Sequence, residues 1–461
     1  MRTESFEEEP SPTALVGDLR SAAVRVLTDP DATAAYSRDQ CLALEPGVPA
    51  AVVLVRSIED VVATVRTAAS YGVPVVPRGA GSGLSGGANA IDGCVVLDLS
   101  RMDRILDIDP VARTARVEPG VLNGELDRRA REHALRYVPD PGSRAISTIG
   151  GNLATNAGGM CCAKYGVTGD HVMGITAVTG TGEVIRTGAA TRKNVVGLDL
   201  TRLLVGSEGT LAVLVEAVVR LLPVPVELAT LAATFPDPVA AVAAVAEWTT
   251  VTVPAAVELM DRTTARAVNR LTRAGLDEAG GVLIAQFDGP DAGRLAELCG
   301  SIAKKAGASE VFVTDDPSDG EAMMAARRAA YPALEALGAT LLDDVAVPCH
   351  RLPELLDGIE EVARRLGVTI GTFGHVADGN LHPTIVYDRA DPAAKARALA
   401  AYGGILEVAL ALDGSISGEH GVGSLKSDLV ARQVGTTEVG LMRGIKQVFD
   451  PRGILNPGRA Y

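Results

Sequence analysis

The segment TIGTFGHVADGNLHPTIVY carries two of the six histidines of this chain, His375 and His382, on either side of Asp378-Gly379. Asp-Gly between apolar runs is a strong signal for a two-residue type I′ hairpin turn. A turn there pairs Ala377 with Asn380, Val376 with Leu381 and His375 with His382. The two imidazoles would be direct cross-strand partners on one face, their Cβ atoms roughly 5 Å apart. That separation lets them grip one divalent cation; a plain structural pair is the competing reading. Downstream, GSISGEHGVG sets Glu419 and His420 between Gly418 and Gly421, where the backbone is free to take an unusual path. Glu419 would complete a His₂Glu set, a mixed nitrogen and oxygen site suited to zinc and related metals and open to substrate. His420 is then a candidate general base. In the helical stretch MMAARRAAYPAL, Arg327 and Arg328 offer a guanidinium fork for a carboxylate, unless they only line a solvated face.

Such residues need a scaffold, and the first part of the chain provides an unusual one. In AVVLVRSIEDVVATVRTAASYGVPVVPRGAGSG, Ala51 to Val55 reads as a buried strand. Ser57 caps a helix with an apolar stripe at Ile58, Val61, Val62 and Val65, and Gly72 stops it. Val73 to Val76 is the next strand. The loop RGAGSGLSGG follows, with Gly81, Gly83 and Gly86 in G-x-G-x-x-G spacing. A Rossmann loop follows the first strand and opens a helix. This one follows a second strand and leads to a further strand, Cys94 to Leu99. The loop therefore suits a pyrophosphate, through its many accessible N–H groups, outside a nicotinamide fold.

Two more glycine-rich pieces support a large bound ligand. PDPGSRAISTIGGNLATNAGG, residues 139–159, is rich in small residues, hydroxyls and amides. It reads as poor core and poor helix, a wall pressed against a flat molecule. GSEGTLAVLVEAVVRLL has a tight turn at Gly206 to Gly209, then a strand with Leu211, Val213 and Val215 on one face. From about Pro223 the texture changes. Strand-like LAATF, GVLIAQFDG, EVFVT and LLDDVAVP alternate with amphipathic DAGRLAELCGSIAKKAG and RLPELLDGIEEVARRLG. This predicts a second α+β domain, a sheet with helices on one face. The first 45 or so residues read as helical and peripheral.

Composition bounds the function. The 461 residues suggest about two or three domains. A hydrophobic fraction of 47% supports large cores. A net charge of −14 without a Lys/Arg block argues against a nucleic-acid reader. The acidic start MRTESFEEEP does not read as a signal peptide, and no apolar run reaches the roughly 20 residues of a membrane span. The six cysteines are scattered, and Cys161-Cys162 lacks the spacing of a zinc ribbon or iron–sulfur set. Reduced, buried thiols in a cytoplasmic protein are the expectation.

From about Pro49 to Pro457 the chain resembles the FAD-linked 2-hydroxy-acid dehydrogenases. This family includes D-lactate dehydrogenase, the glycolate oxidase flavoprotein subunit and D-2-hydroxyglutarate dehydrogenase, on the vanillyl-alcohol oxidase type of fold. The carrying motifs, in order, are PVVPRGAGSGLSGG, STIGGNLATNAGG, GSEGTL, DVAVP, GHVADGNLH, SGEHGVG and GILNPG. The resemblance implies an α+β protein with a two-part FAD-binding domain of that type and an α+β cap domain built on an antiparallel sheet. The divisions would be an N-terminal segment 1–45, an FAD-binding domain 46–223, a cap 224–411 and a C-terminal segment 412–461 returning to the FAD domain.

Site roles follow from the same resemblance. Arg78, Gly79, Ala80, Gly81, Ser82, Gly83, Leu84 and Ser85 would hold the FAD pyrophosphate. Pro141, Gly142, Ser143, Thr148, Gly150, Gly151, Asn152, Thr155, Asn156, Gly158 and Gly159 would line the rest of the groove. Glu208, Gly209 and Thr210 would lie nearby, and Asn456 would return to the flavin. His375, His382 and Glu419 look like the ligands of a divalent metal, zinc or manganese, with His420 the base and Arg327 the carboxylate anchor. Positions 78–87 hold no histidine to tether the flavin, so FAD is expected to be non-covalent. The implied reaction passes the C2 hydrogen of a small D-2-hydroxy acid to flavin N5 as hydride and gives the 2-oxo acid. Reduced flavin would then serve a quinone, a cytochrome, an electron-transfer flavoprotein or a partner subunit. The expected setting is the cytoplasm, or the membrane periphery, with a homodimer as one assembly. Where dicarboxylate-using relatives carry Lys two positions before Asp344 and Asn two positions after the second metal histidine, this chain has Leu342 and Thr384. D-lactate is therefore favoured, then glycolate. D-2-hydroxyglutarate, and a non-oxidising reaction like that of alkyl-dihydroxyacetone-phosphate synthase, are the alternatives.

Overall fold

The apolar run Ala51–Leu54 forms a strand buried along its whole length, because it lies inside a four-stranded sheet. The order is Arg25–Leu27, Ala51–Leu54, Val95–Asp98, Val75–Arg78. The last three are parallel and the first is antiparallel. The helix Ile58–Tyr71 makes the crossover. Ser57 caps it, its hydroxyl accepting from the Asp60 N–H at 3.2 Å, and Gly72 ends it at φ 65°. Val61, Val65 and Ala68 pack this helix against Val53, Val75 and Val95. The structure, a computed structural model, describes residues 12–22, 24–191, 193–278 and 280–461. The acidic start, residues 1–11, lies outside the described residues. The N-terminal segment is not purely helical as expected: between the helices Pro12–Ser21 and Pro30–Ala34, Arg25–Leu27 adds the edge strand.

A second, five-stranded antiparallel sheet runs Ile105–Asp109, Thr114–Val117, Ala212–Arg220, Val172–Thr179, Val184–Gly188. Its central strand Ala212–Arg220 corrects the sequence reading. Leu211, Val213 and Val215 do not share one face. Val213 and Val215 join the core of the parallel sheet, whereas Leu211, Ala212 and Leu214 join the core beneath the antiparallel one. The strand is sandwiched between two cores, so its near-continuous apolar run hides the alternation. The stretch 139–159 also departs from expectation. Ile149–Thr155 is a short helix, capped by the Thr148 hydroxyl and ended by Asn156 at φ 52°. Ile149 and Leu153 bury into the second core and carry it despite Gly150 and Gly151.

The remaining sheet has eight antiparallel strands. The order is Glu310–Thr314, Leu228–Phe235, Gly281–Asp288, Ala256–Met260, Thr369–His375, Asn380–Tyr387, Ala339–Leu342, with Val345–Ala346 also on Asn380–Tyr387. Helices cover both faces, not one. Pro238–Trp248, Ala292–Lys305, Leu352–Leu366 and Pro392–Ala411 pack one side. Arg262–Thr272, Pro317–Arg328 and Ala330–Glu335 partly cover the other. The opposite face cannot stay open, because Ala256, Met260, Ile284 and Phe373 point into it. It is also the face turned towards the glycine loop. Asp288, at the end of its strand, ties this sheet to the first part of the chain: Arg136 (3.1 Å), Tyr165 (2.6 Å) and Lys164 all converge on its carboxylate.

Candidate active site

A cleft of about 530 Å³ separates the glycine loop from this sheet. One wall is Arg78 to Ser85, Pro141 to Ser143, Thr148, Gly150 to Asn152, Thr155, Gly158, Glu208 and Gly209. The other carries Arg327, Leu342, Phe373, His375, His382, Glu419 and His420. Four residues expected around the flavin do not line the cleft. Asn156 caps the short helix and accepts from the Gly169 N–H. Gly159 lies against Asp140, where a Cβ would strike its backbone. Thr210 shares a hydrogen bond with the Tyr461 hydroxyl at 2.9 Å. Asn456 donates to the carbonyls of Gly87 (3.0 Å) and Glu208 (2.7 Å), tying two wall loops together. The Asn156 amide oxygen and the Thr210 hydroxyl are thus engaged within the protein, whereas the buried Asn456 Oδ1 has no partner among the described residues.

The glycine loop is packed too tightly for side chains. A Cβ on Gly79 would strike the Thr148 hydroxyl, and one on Gly81 the Arg78 guanidinium. Arg78 is buried beneath its own loop with Nη1 lacking a partner. An anion against this loop would meet backbone N–H groups and the positive field of Arg78 beneath them. The donor set therefore fits a pyrophosphate.

The histidines meet in a register other than the expected one. The connection spans four residues, Val376 to Gly379, so His375 opposes Asn380 and His382 opposes Phe373. Neighbouring strands decide this: the Val376 N–H donates to the Val257 carbonyl, and the Val347 N–H to the Gly379 carbonyl, each at 3.0 Å. The shift is even, so both histidines keep the same face and meet diagonally. Their Nε2 atoms lie 3.3 Å apart. Glu419 Oε1 lies 3.4 Å from that of His375 and 3.3 Å from that of His382. Ligands ~2.1 Å from a tetrahedral metal are themselves ~3.4 Å apart, so the three atoms already form one face of a coordination shell.

The electrostatics also call for a cation. Burial opposes charge on His375, yet Glu258 and Glu419 pull its ring well above the ordinary imidazole range. Burial pushes Glu419 up, but His375 and His382 outweigh it and hold the carboxyl well below its usual range. A divalent ion among these atoms would supply the positive charge the carboxylates draw onto the ring. His420 behaves oppositely: burial lowers its pKa, and Asp344 offsets this only in part. Its ring stacks on His382 with centroids 5.0 Å apart, and the lowered pKa favours the neutral form that can accept a proton.

Two buried carboxylates clamp the loop that carries Glu419 and His420. Asp344 accepts from the N–H groups of Glu419 and His420 (2.9 Å each), from the Ser417 hydroxyl and from the Asn380 amide (2.8 Å each). Glu208 accepts from the N–H groups of Val422 (2.8 Å) and Gly423 (2.7 Å). Arg327 is buried with its guanidinium over the Phe373 ring (4.7 Å), while Arg328, which also lines the cleft, pairs with Glu321. Glu258, absent from the sequence reading, stands directly opposite His375 and touches both it and Arg327. One signal pointed to it: a lone acid inside the apolar run AAVELM.

Similarity to known proteins follows the same lines. A family model described as "FAD linked oxidases, C-terminal domain" matches residues 224–460, and "FAD binding domain" matches residues 49–188. The glycolate oxidase subunit GlcD of Bacillus subtilis is 37% identical over 96% of this chain and 93% of its own. The chain belongs to the FAD-linked oxidase family. Another relative, D-lactate dehydrogenase of Anaerostipes hadrus, is 33% identical over 94% of each chain. A structure of p-cresol methylhydroxylase with substrate bound superposes at a TM-score of 0.82, covering 97% of this chain and 96% of that one. At 20% identity that likeness speaks for the fold alone. This FAD-linked oxidase is thus an oxidoreductase acting on CH–OH groups. It pairs an FAD-binding domain of the vanillyl-alcohol oxidase type with an antiparallel-sheet cap. FAD is its cofactor. No helix among its described residues is long and apolar enough to cross a membrane.

Proposed function

We propose that this FAD-linked oxidase converts a small D-2-hydroxy acid, D-lactate first and glycolate next, to the 2-oxo acid with the help of a divalent metal. The observation that carries the reading is the convergence of His375, His382 and Glu419 with Arg327 and His420 in one cleft. Glycolate oxidase subunits and D-lactate dehydrogenases among the relatives support the substrate class. When bound, FAD supplies a two-electron acceptor and the cation a Lewis acid that acidifies a hydroxyl. His375, His382 and Glu419 hold the cation, zinc or manganese. Arg327 receives the substrate carboxylate. Neutral His420 accepts the hydroxyl proton. Met160, Leu342 and Phe373 give the remainder of the substrate an apolar wall. Leu342 stands directly across from Thr384 in the sheet, so neither offers a cation to a second carboxylate.

FAD is held without a covalent bond in this reading, since no histidine or cysteine lines the glycine-loop wall. The electron acceptor is a quinone, a cytochrome, an electron-transfer flavoprotein or a partner subunit. Relatives that are themselves glycolate oxidase subunits favour the last.

Anaerobic flavin absorbance tests the proposal. Purified protein is titrated with D-lactate, L-lactate, glycolate and D-2-hydroxyglutarate, before and after chelation. D-lactate should bleach the flavin, and chelation or His382→Ala should abolish the bleaching. Bleaching by D-2-hydroxyglutarate alone would overturn the substrate assignment. No bleaching by any of the four, with FAD bound, would overturn the reaction.

A further inference from the structure

Glu258 is the acid that the apolar strand Ala256–Met260 should not tolerate. Its side chain is wholly buried, at 0% exposure, and it does not line the cleft. Both oxygens are nonetheless committed to residues that do. Oε1 lies 2.7 Å from His375 Nδ1, and Oε2 lies 2.7 Å from Arg327 Nη2. His375 is its direct cross-strand partner, whereas Arg327 arrives from a helix packed on the same face.

We infer that Glu258 is a positioning residue that couples the metal ligand His375 to the carboxylate anchor Arg327. The inference rests on the reading of the cleft as a metal-assisted hydroxy-acid site.

The chemistry of a carboxylate dictates both contacts. An ionised carboxylate only accepts hydrogen bonds. His375 must therefore place its proton on Nδ1, which leaves the Nε2 lone pair facing His382 and Glu419. The second oxygen holds Arg327 Nη2 in a buried ion pair at 2.7 Å, with the guanidinium lying over Phe373. Arg327 Nε is buried and has no hydrogen-bond partner among the described residues. One buried group thus sets the tautomer of a metal ligand and the orientation of the substrate anchor. Burying a charge costs several kcal/mol, and a purely structural strand position would be filled better by an apolar residue.

Glu258→Gln separates the two duties. A glutamine has one acceptor oxygen and one donor amide. With oxygen towards Arg327, its N–H faces His375 Nδ1 and drives the ring proton to Nε2, where metal would bind. With oxygen towards His375, its N–H opposes the Arg327 N–H and displaces the anchor. No orientation serves both.

The experiment measures Mn²⁺ binding to metal-depleted, FAD-loaded protein by the loss of the free-ion EPR signal. Steady-state kinetics with D-lactate run alongside, and flavin content and thermal midpoint serve as controls. Wild type should bind one ion and His382→Ala none. Glu258→Gln should bind Mn²⁺ ~10–100-fold more weakly, or raise KM for D-lactate by about tenfold, with flavin content unchanged. If Glu258→Gln does not fold, Glu258→Asp carries the test. Its carboxylate is one methylene shorter and cannot span both partners, so one of the two constants should worsen several-fold. Variants with wild-type Mn²⁺ affinity and wild-type KM would overturn the coupling while leaving the metal site standing. Wild type that binds neither Mn²⁺ nor Zn²⁺ would overturn the metal reading, and this inference with it.

Discussion

The ammonium of Lys426 lies 2.8 Å from the carboxylate of Asp343, with 3% and 0% of the two side chains exposed. Lys426 also donates to the carbonyls of Asp344 (3.0 Å) and Ile416 (2.5 Å), so all three of its protons are used. This pair fastens the C-terminal loop to the cap sheet just where Asp344 begins its own clamp. Removing one partner leaves the other charge buried and bare, at a cost of about 3–5 kcal/mol. Lys426→Met should therefore destabilise the protein by that amount. Adding Asp343→Leu should recover most of it. Denaturant titrations of the two variants against wild type check both statements.

Asp344 should matter for turnover more than for flavin binding. Its four donors come from Asn380 and from the loop bearing Glu419 and His420. Burial pushes its carboxyl up, but His420, Lys426 and His382 outweigh this and keep it ionised well below the usual range. Asp344→Asn replaces one acceptor oxygen with a donor that must face N–H groups. We expect kcat to fall about tenfold or more, or ~1.4 kcal/mol of barrier, at unchanged FAD content. Steady-state assays on protein of known flavin occupancy would separate this from simple loss of cofactor.

What the sequence made legible follows a physical line. The Ser57 cap, the Gly72 stop and the glycine loop are local features, set by residues within a few positions of one another. The facing of His375 and His382 was legible because strand parity survives any even slip. Their register was not, because Val376 answers to Val257, over a hundred residues away. Glu258 was invisible as a site residue for the same reason: His375 lies 117 positions on, and only the fold makes them neighbours. The short helix Ile149–Thr155 was hidden by its paired glycines, whose helix-breaking tendency tertiary burial overrides. Helices on both faces of the cap sheet could not be read from periodicity, since each helix stripe shows that it packs and not which side it packs against.

Leu342 gives a test of substrate choice. It lines the cleft, half-buried, and stands opposite Thr384 in the sheet. Leu342→Lys would place an ammonium where the cleft now presents a leucine side chain. The ratio of kcat/KM for D-2-hydroxyglutarate to that for D-lactate should rise about tenfold or more, the scale of one charge-assisted hydrogen bond. Adding Thr384→Asn should raise it further. An unchanged ratio in the single variant would show that the substrate's far end points elsewhere.

Asp261 gives the protein a pH dependence unrelated to catalysis. It caps the helix Arg262–Thr272, accepting from the Thr264 N–H at 2.7 Å and from the Thr372 N–H at 2.9 Å. Burial nevertheless raises its carboxyl to about 6, because those hydrogen bonds do not repay the lost hydration. An unfolded aspartate titrates near ~3.9. With the folded value above the unfolded one, the stability this group contributes is fully present below about pH 4. It is lost as pH rises towards 6, by an amount on the order of 2 kcal/mol. Asp261→Asn keeps an oxygen for the Thr264 N–H and has no proton to lose, although its amide N–H then faces the Thr372 N–H and costs some stability at every pH. Denaturant midpoints at pH 4.5 and 7.5 should therefore differ less in the variant than in wild type. A variant that loses as much stability as wild type across that window would show that Asp261 is ionised throughout.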